Sequence, residues 1–227
     1  MTQNQENKTY DFEQLSKDAQ ENAIEKNSDI NIDYDGWEDS TIEGFKEDMS
    51  EYGISDIEVQ YSGFWSQGDG ASFTGEISNT KEFLTKVLGM ESNEFVDMED
   101  GKYKSGDDEL DSLIGDLAEL GLDSRDKIKP DDFYISIERI SSRYSHENTV
   151  KISVDIDEPE NWDGDFSKRA WEYIEEIEDK ATEWLRAECN KLYRSLEKDY
   201  DYLTSYEAVR ETLIENGYEF DEEGNIV

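Results

Sequence analysis

The sequence predicts an α+β fold, with antiparallel hairpins forming a sheet packed with helices and one long helix near the C-terminus. Three observations lead there. Apolar residues alternate with polar ones on both sides of the turn SQGDG at 66–70, and again on both sides of Ser145–Glu147. Short blocks with apolar residues every third or fourth position end at glycines. Residues 165–203 then hold a helical period for about 58 Å at 1.5 Å per residue.

Residues 12–26 read as a short amphipathic helix with Phe12, Leu15, Ala19 and Ala23 on one side. In 36–52, Trp37, Thr41, Phe45 and Met49 recur every fourth residue as a buried face, and Gly53 is the stop. Ile57, Val59 and Tyr61 alternate, the turn follows, and Ala71 and Phe73 alternate on the return, so 56–77 is a hairpin. Residues 79–89 form a capped helix ending at Gly89, and 108–121 another with Leu110, Leu113, Ile114 and Leu117 inward. Residues 132–144 and 148–157 make the second hairpin. In the long helix Ala170, Ile174, Ile177, Ala181, Trp184, Leu185, Leu192, Leu196 and Leu203 form the packing face. Ser205 caps a short helix ending at Gly217, and the last residues close as a small hairpin turning at Glu223–Gly224. Residues 1–9 are expected to be disordered and 10–227 to form a single acidic domain, with 122–131 as the place where it could divide.

Charge dominates the composition: 60 acidic residues against 22 Lys and Arg give a formal net charge of −38 over 227 residues. That density usually accompanies disorder, but 12% aromatic residues argue for a folded chain with a thin, aromatic-heavy core. Such a surface repels phosphates and anionic lipid heads, so neither nucleic acid nor membrane is expected as a direct partner. No apolar run reaches the roughly 20 residues of a membrane span, and the first nine residues lack the pattern of a signal peptide. The single cysteine, Cys189, fits a reducing cytoplasm. Halophilic acidity is the plainer alternative, but the chain is rich in Lys, Asn, Ile and Ser.

The acids are unevenly placed. Residues 165–203 carry 11 acids and 7 bases, including Glu176 with Lys180 and Glu188 with Lys191 at helical spacing, and read as scaffold. In 36–52, by contrast, Asp39, Glu43, Glu47 and Glu51 stand every fourth residue with Lys46 the only base nearby. They would form an anionic ladder with rungs about 6 Å apart, on the scale of a phosphate backbone; the plainer reading is a solvated face. A second cluster comprises Glu94, Asp97, Glu99, Asp100, Asp107, Asp108, Glu109 and Asp111, of which Asp107, Asp108 and Glu109 could simply favour a helix dipole. A third runs from Asp155 to Asp163.

The segments YSGFWSQGDGASF (61–73) and LEKDYDYLTSYEAVRETLIENGYEFDEEGNIV (196–227) resemble a family of uncharacterised acidic proteins of tailed phages and prophages, and FEQLSKDAQENAIEK (12–26) fits the same family. The resemblance implies a phage gene expressed in bacterial cytoplasm. It adds weight to an anti-defence role, because acidic phage proteins that imitate DNA are a recurrent class, although family membership does not establish function.

Other chemistry finds little support. His146 is the only histidine, and neighbouring Ser145 and Glu147 do not make a triad without convergence in space. One His and one Cys leave no zinc site. Asn31, Asp33, Asp35 and Gly36 match the start of a calcium loop, but its twelfth position is Ile42 instead of Glu. No metal, cofactor or catalytic residue is therefore expected. The turn GFWSQGDGAS is the most distinctive local feature, with Phe64 and Trp65 as either a plug for the thin core or a partner anchor. The reading is a DNA-mimic inhibitor that occupies the basic site of a host nuclease, restriction or CRISPR effector, or repair enzyme. Asp39, Glu43, Glu47, Glu51, Asp107, Asp108, Glu109, Asp111 and Trp65 are its candidate contacts. The alternative is an interaction protein that binds through aromatics, its acidity secondary. Oligomeric state is left open, a homodimer included.

Overall fold

A computed structural model describes residues 8–88, 133–156 and 168–227. The chain divides into two compact units, one of residues 1–41 and 194–227, the other of 42–193. The α+β class holds, with antiparallel sheets, helices and a long helix near the C-terminus. The expected helix at 108–121 lies outside the described residues, as does the segment 122–131.

The first unit is built on a pairing that spans most of the sequence. Strand β1 (Tyr10–Asp11) runs antiparallel to β6 (Glu219–Phe220), with Tyr10 opposite Phe220. The sequence predicts that the last residues close on themselves as a small hairpin. That contact exists as a bridge from Phe220 to Ile226, but the two-residue strand also pairs with the N-terminal segment. The expected helix 12–26 is also corrected. A 3-10 turn (Phe12–Gln14) is followed by extended Leu15, and α1 (Lys17–Lys26) starts only after Ser16, whose side chain accepts the Ala19 N–H. Ser16 is a better N-cap than helix-interior residue, so it restarts the chain.

The break lets Phe12 and Leu15 join Ala19, Ala23 and Ile24 of α1 in one core with Val209, Leu213 and Phe220. Phe12 and Phe220 meet edge to face at 6.0 Å, and each fully buried side chain of this size stabilises by about 1.5–3 kcal/mol. Helix α5 (Tyr206–Glu215) supplies Val209 and Leu213 and is capped by Ser205 as expected. The C-terminal turn is organised by Asp221, whose carboxylate accepts from the Asn225 side chain and from the Asn225 and Glu223 amides. Those bonds, the Asn225 side chain first, hold the Asp221 carboxyl below its ordinary value. Its contribution is therefore complete above the ordinary Asp pKa and is lost as pH falls through the depressed one.

The second unit holds a four-stranded antiparallel sheet in the order β2 (Ile54–Ser62), β3 (Gly70–Ile77), β4 (Phe133–Arg139), β5 (Val150–Ile156). Both expected hairpins are present. Helix α2 (Asp39–Ser50) buries Phe45 and Met49, and Phe45 meets Phe73 of β3 edge to face at 5.0 Å. Helix α3 (Thr80–Leu88) starts with the Asn79 side chain accepting the Glu82 N–H and buries Phe83. Helix α4 (Lys168–Leu203) is the expected long helix. Its Trp184 packs against Phe83 and Tyr52 at 5.5 and 5.0 Å, and Ile177, Ala181, Leu185, Cys189 and Leu192 are buried.

Helix α4 also performs a task that no periodicity announced. Strand β5 ends the sheet, and its outward N–H groups would face an apolar interior unpaired. The Ile152 N–H instead donates to Thr182 Oγ1 at 3.0 Å, and the Val154 N–H to Glu178 Oε1 at 2.8 Å. The spacings match: two strand residues span about 6.7 Å and four helix residues about 6 Å. A side-chain pair at i and i+4 thus substitutes for a fifth strand.

Replacing Thr182 by Val keeps the side chain's shape and removes the acceptor. The buried Ile152 N–H is then left unsatisfied, which costs about 1–3 kcal/mol. Chemical denaturation should show that loss of stability for Thr182→Val, and an unchanged midpoint would contradict the edge-capping role.

Candidate interaction surfaces

Two surfaces carry the expected contacts, and α2 provides the first. Asp39, Glu43, Glu47 and Glu51 are all exposed. The helix ends at Ser50, so Glu51 stands in the turn beyond it and the helical ladder has three rungs. The boundary between the two units falls after Thr41, placing Asp39 in the first and Glu43, Glu47 and Glu51 in the second. Lys46 forms an ion pair with Glu43 at 3.1 Å, with side chains 37% and 69% exposed, a contact worth at most about 1 kcal/mol. Lys86 donates to the Glu51 backbone carbonyl and pairs with Glu82 at 3.2 Å, so its charge lies beside the turn that carries Glu51. The face is acidic but partly compensated. Asp107, Asp108, Glu109 and Asp111 lie outside the described residues.

Other acids are bound into the fold. Glu178 caps β5. Glu188, expected from its spacing to pair with Lys191, does so at 2.6 Å and is itself buried. That bond raises the Lys191 pKa. A raised lysine pKa means the pair's contribution is present below the ordinary Lys value and is lost as pH rises through the folded one. Asn31, the first position of the calcium-like pattern, has both polar ends engaged, donating to the Leu203 carbonyl and accepting from Thr212. Among the described residues no cluster of His, Cys, Asp or Glu could hold a metal ion.

The turn between β2 and β3 is the second surface. Its aromatic pair separates into two roles. Phe64 is buried, stacked on Tyr193 at 5.6 Å and on Tyr61 at 6.4 Å, and the Tyr193 hydroxyl donates to the Gly63 carbonyl. Phe64 is thus the inward member of the pair. Trp65 is 73% exposed and touches Phe64 edge to face at 6.0 Å. The loop beneath it is pinned by Asp69, whose Oδ2 accepts the Trp65 and Ser66 amides at 3.0 and 2.6 Å.

Two glycines allow the β4–β5 connection to pack closely on this turn. Gly68 has φ +100° and lies against the Tyr144 ring, while a Cβ on Gly70 would come within 2.5 Å of the His146 Cβ. His146 stacks on Tyr144 at 5.7 Å and its Nδ1 accepts the Asn148 N–H, so it serves as a turn residue. Cys189 is fully buried, and burial pushes its thiol up to about 12, partly offset by a hydrogen bond to the Phe73 backbone. A thiol so placed is a packing group with no nucleophilic role near neutral pH.

The chain belongs to a family described as a domain of unknown function (DUF8835), whose sequence model matches residues 37–206. The match takes in α2 and the aromatic turn. Neither a curated protein nor a solved structure matches the chain.

Removing the Asp69 carboxylate should loosen the turn without disturbing the core beneath it. In Asp69→Ala, amide hydrogen exchange at Trp65 and Ser66 should accelerate by about tenfold or more, since each loses a charge-assisted hydrogen bond, while Phe73 exchange stays slow. Unchanged exchange at Trp65 would show that Asp69 does not hold it.

Proposed function

We propose that this protein is an inhibitory DNA mimic, which occupies the basic nucleic-acid-binding site of a partner protein with its own carboxylates. The phage resemblance makes a host nuclease, restriction or CRISPR effector, or repair enzyme the fitting partner class, met in the bacterial cytoplasm. What carries the reading is the division of labour among acids. Glu178, Glu188, Asp69 and Asp221 hold backbone or buried contacts, whereas Glu43 and Glu47 stand exposed on α2, away from buried Phe45 and Met49, and Glu51 is exposed in the turn that follows. Rungs about 6 Å apart on a rigid helix suit a row of Arg or Lys side chains that otherwise grips phosphates.

A second reading rests on Trp65. A large aromatic, 73% exposed on a pinned turn, is the usual form of an interface anchor and would work without the acids. The two readings separate under mutation. Glu43→Gln, Glu47→Gln and Glu51→Gln together should leave folding intact and weaken capture of DNA-handling proteins from host lysate by about tenfold or more, as several charge-assisted contacts are lost. Glu175→Gln with Glu183→Gln, on exposed positions of α4, should change capture little. Equal losses from both sets would show that net charge alone acts, and a loss only with Trp65→Ala would move the function to the aromatic turn.

A further inference from the structure

His146, the only histidine of the chain, stands where the two hairpin connections of the second unit meet. It packs so closely on Gly70 that a Cβ there would come within 2.5 Å of its own Cβ. Its ring stacks on Tyr144 at 5.7 Å, and the Tyr144 ring in turn lies on Gly68 in the turn that carries Trp65. The imidazole is also an acceptor: Nδ1 takes the Asn148 N–H at 3.2 Å and so caps the 3-10 turn Glu147–Thr149.

Only a neutral imidazole can do this, because both nitrogens of the protonated ring are donors. Protonation sets an Nδ1–H against the Asn148 N–H, and the ring must turn away from it. It also brings a second cation to Tyr144, whose ring already has the Arg143 guanidinium 5.2 Å from its centre. The backbone has separate support, since the Thr149 N–H and Oγ1 both donate to the His146 carbonyl whatever the charge of the ring. What responds is therefore the imidazole and the aromatic ring stacked on it.

The other charged groups on the surrounding elements are engaged elsewhere. Glu147 accepts from the Asn148 side chain at 2.8 Å, Asp69 from the Trp65 and Ser66 amides, and Glu188 of α4 from Lys191. Arg139 of β4 donates to Ser72. Imidazole is the side chain that ordinarily changes charge between about pH 5 and 8, whereas buried Cys189, pushed up to about 12, stays a thiol there.

We infer that His146 is a proton-operated catch between the two hairpin connections. Neutral, it holds the β4–β5 connection on the turn bearing Trp65; protonated, it lets Tyr144 withdraw from Gly68. The hydrogen bond exists only with the neutral ring, so the catch is closed at high pH and opens as pH falls through the titration of the ring. This goes beyond the proposed function and does not rest on it.

The test is a nuclear magnetic resonance titration of the full-length protein from about pH 8 to about pH 5.5, above the ordinary carboxylate range. At high pH the His146 nitrogen shifts should report the proton on Nε2. As the ring takes up its second proton, the protection factor of the Asn148 amide should fall about threefold to tenfold. The Gly68 amide shift should move with the same midpoint. In His146→Asn, a cap that does not titrate, neither signal should respond over this range. The wild-type titration decides without the variant: a proton on Nδ1 at high pH, or Asn148 protection that stays flat through the ring's titration, would overturn the catch. An Asn148 response with Gly68 unmoved would overturn the coupling between the connections, and so would an equal Gly68 response in His146→Asn.

Discussion

The capping of strand β5 by helix α4 is the contact on which the second unit depends. The sheet can end at Val150–Ile156 because Thr182 and Glu178 accept the amides that a further strand would have taken. Bringing α4 that close also buries Ala181, Leu185 and Cys189 and sets Trp184 against Phe83 and Tyr52. An edge left open there would present a row of unpaired backbone groups beside an apolar face. The opposite edge has no equivalent among the described residues, which makes the sheet asymmetric in chemistry as well as in position.

The chain carries a net charge of −38, and among the described residues its acids divide between those bound into the fold and those left on the surface. The core consists of aromatic and aliphatic contacts, and the ion pairs Lys46–Glu43, Lys86–Glu82 and Lys151–Glu138 are exposed enough to contribute little. Acids that do structural work are recognisable by a backbone amide or a buried position, as at Glu178, Asp69, Asp221 and Glu188. The remainder repel one another across the surface. Among the described residues the exposed ion pairs compensate that repulsion only in part.

Much of this architecture was legible in the sequence, for physical reasons that also explain the misses. Alternation at Ile57, Val59 and Tyr61 and the glycine-rich turn sufficed for the first hairpin, and the period of α4 sufficed for the long helix. Ser205 announced its helix as an N-cap. Ser16 carried the same signal, but Phe12, Leu15, Ala19 and Ala23 fit one continuous helical stripe and hid the break. The β1–β6 pairing was illegible because two residues are too few to show a period. Phe64 and Trp65 are neighbours in a turn, where no periodicity distinguishes inside from outside. Glu51 matched the ladder's spacing but falls past the helix end, and helical spacing carries no sign that Glu178 reaches a strand edge or that Glu188 is buried. Asp107, Asp108, Glu109 and Asp111 lie outside the described residues.

The central claim is that the surface carboxylates are compensated only in part and kept apart from what holds the fold together. Melting temperature as a function of sodium chloride at neutral pH measures this most directly. Raising salt from about 0.01 M to about 0.1 M shortens the screening length from about 30 Å to about 10 Å. The account predicts that the melting temperature rises over that range as repulsion is screened. A melting temperature that stays flat or falls would contradict it, because the acids would then be paired within the protein and working for its stability.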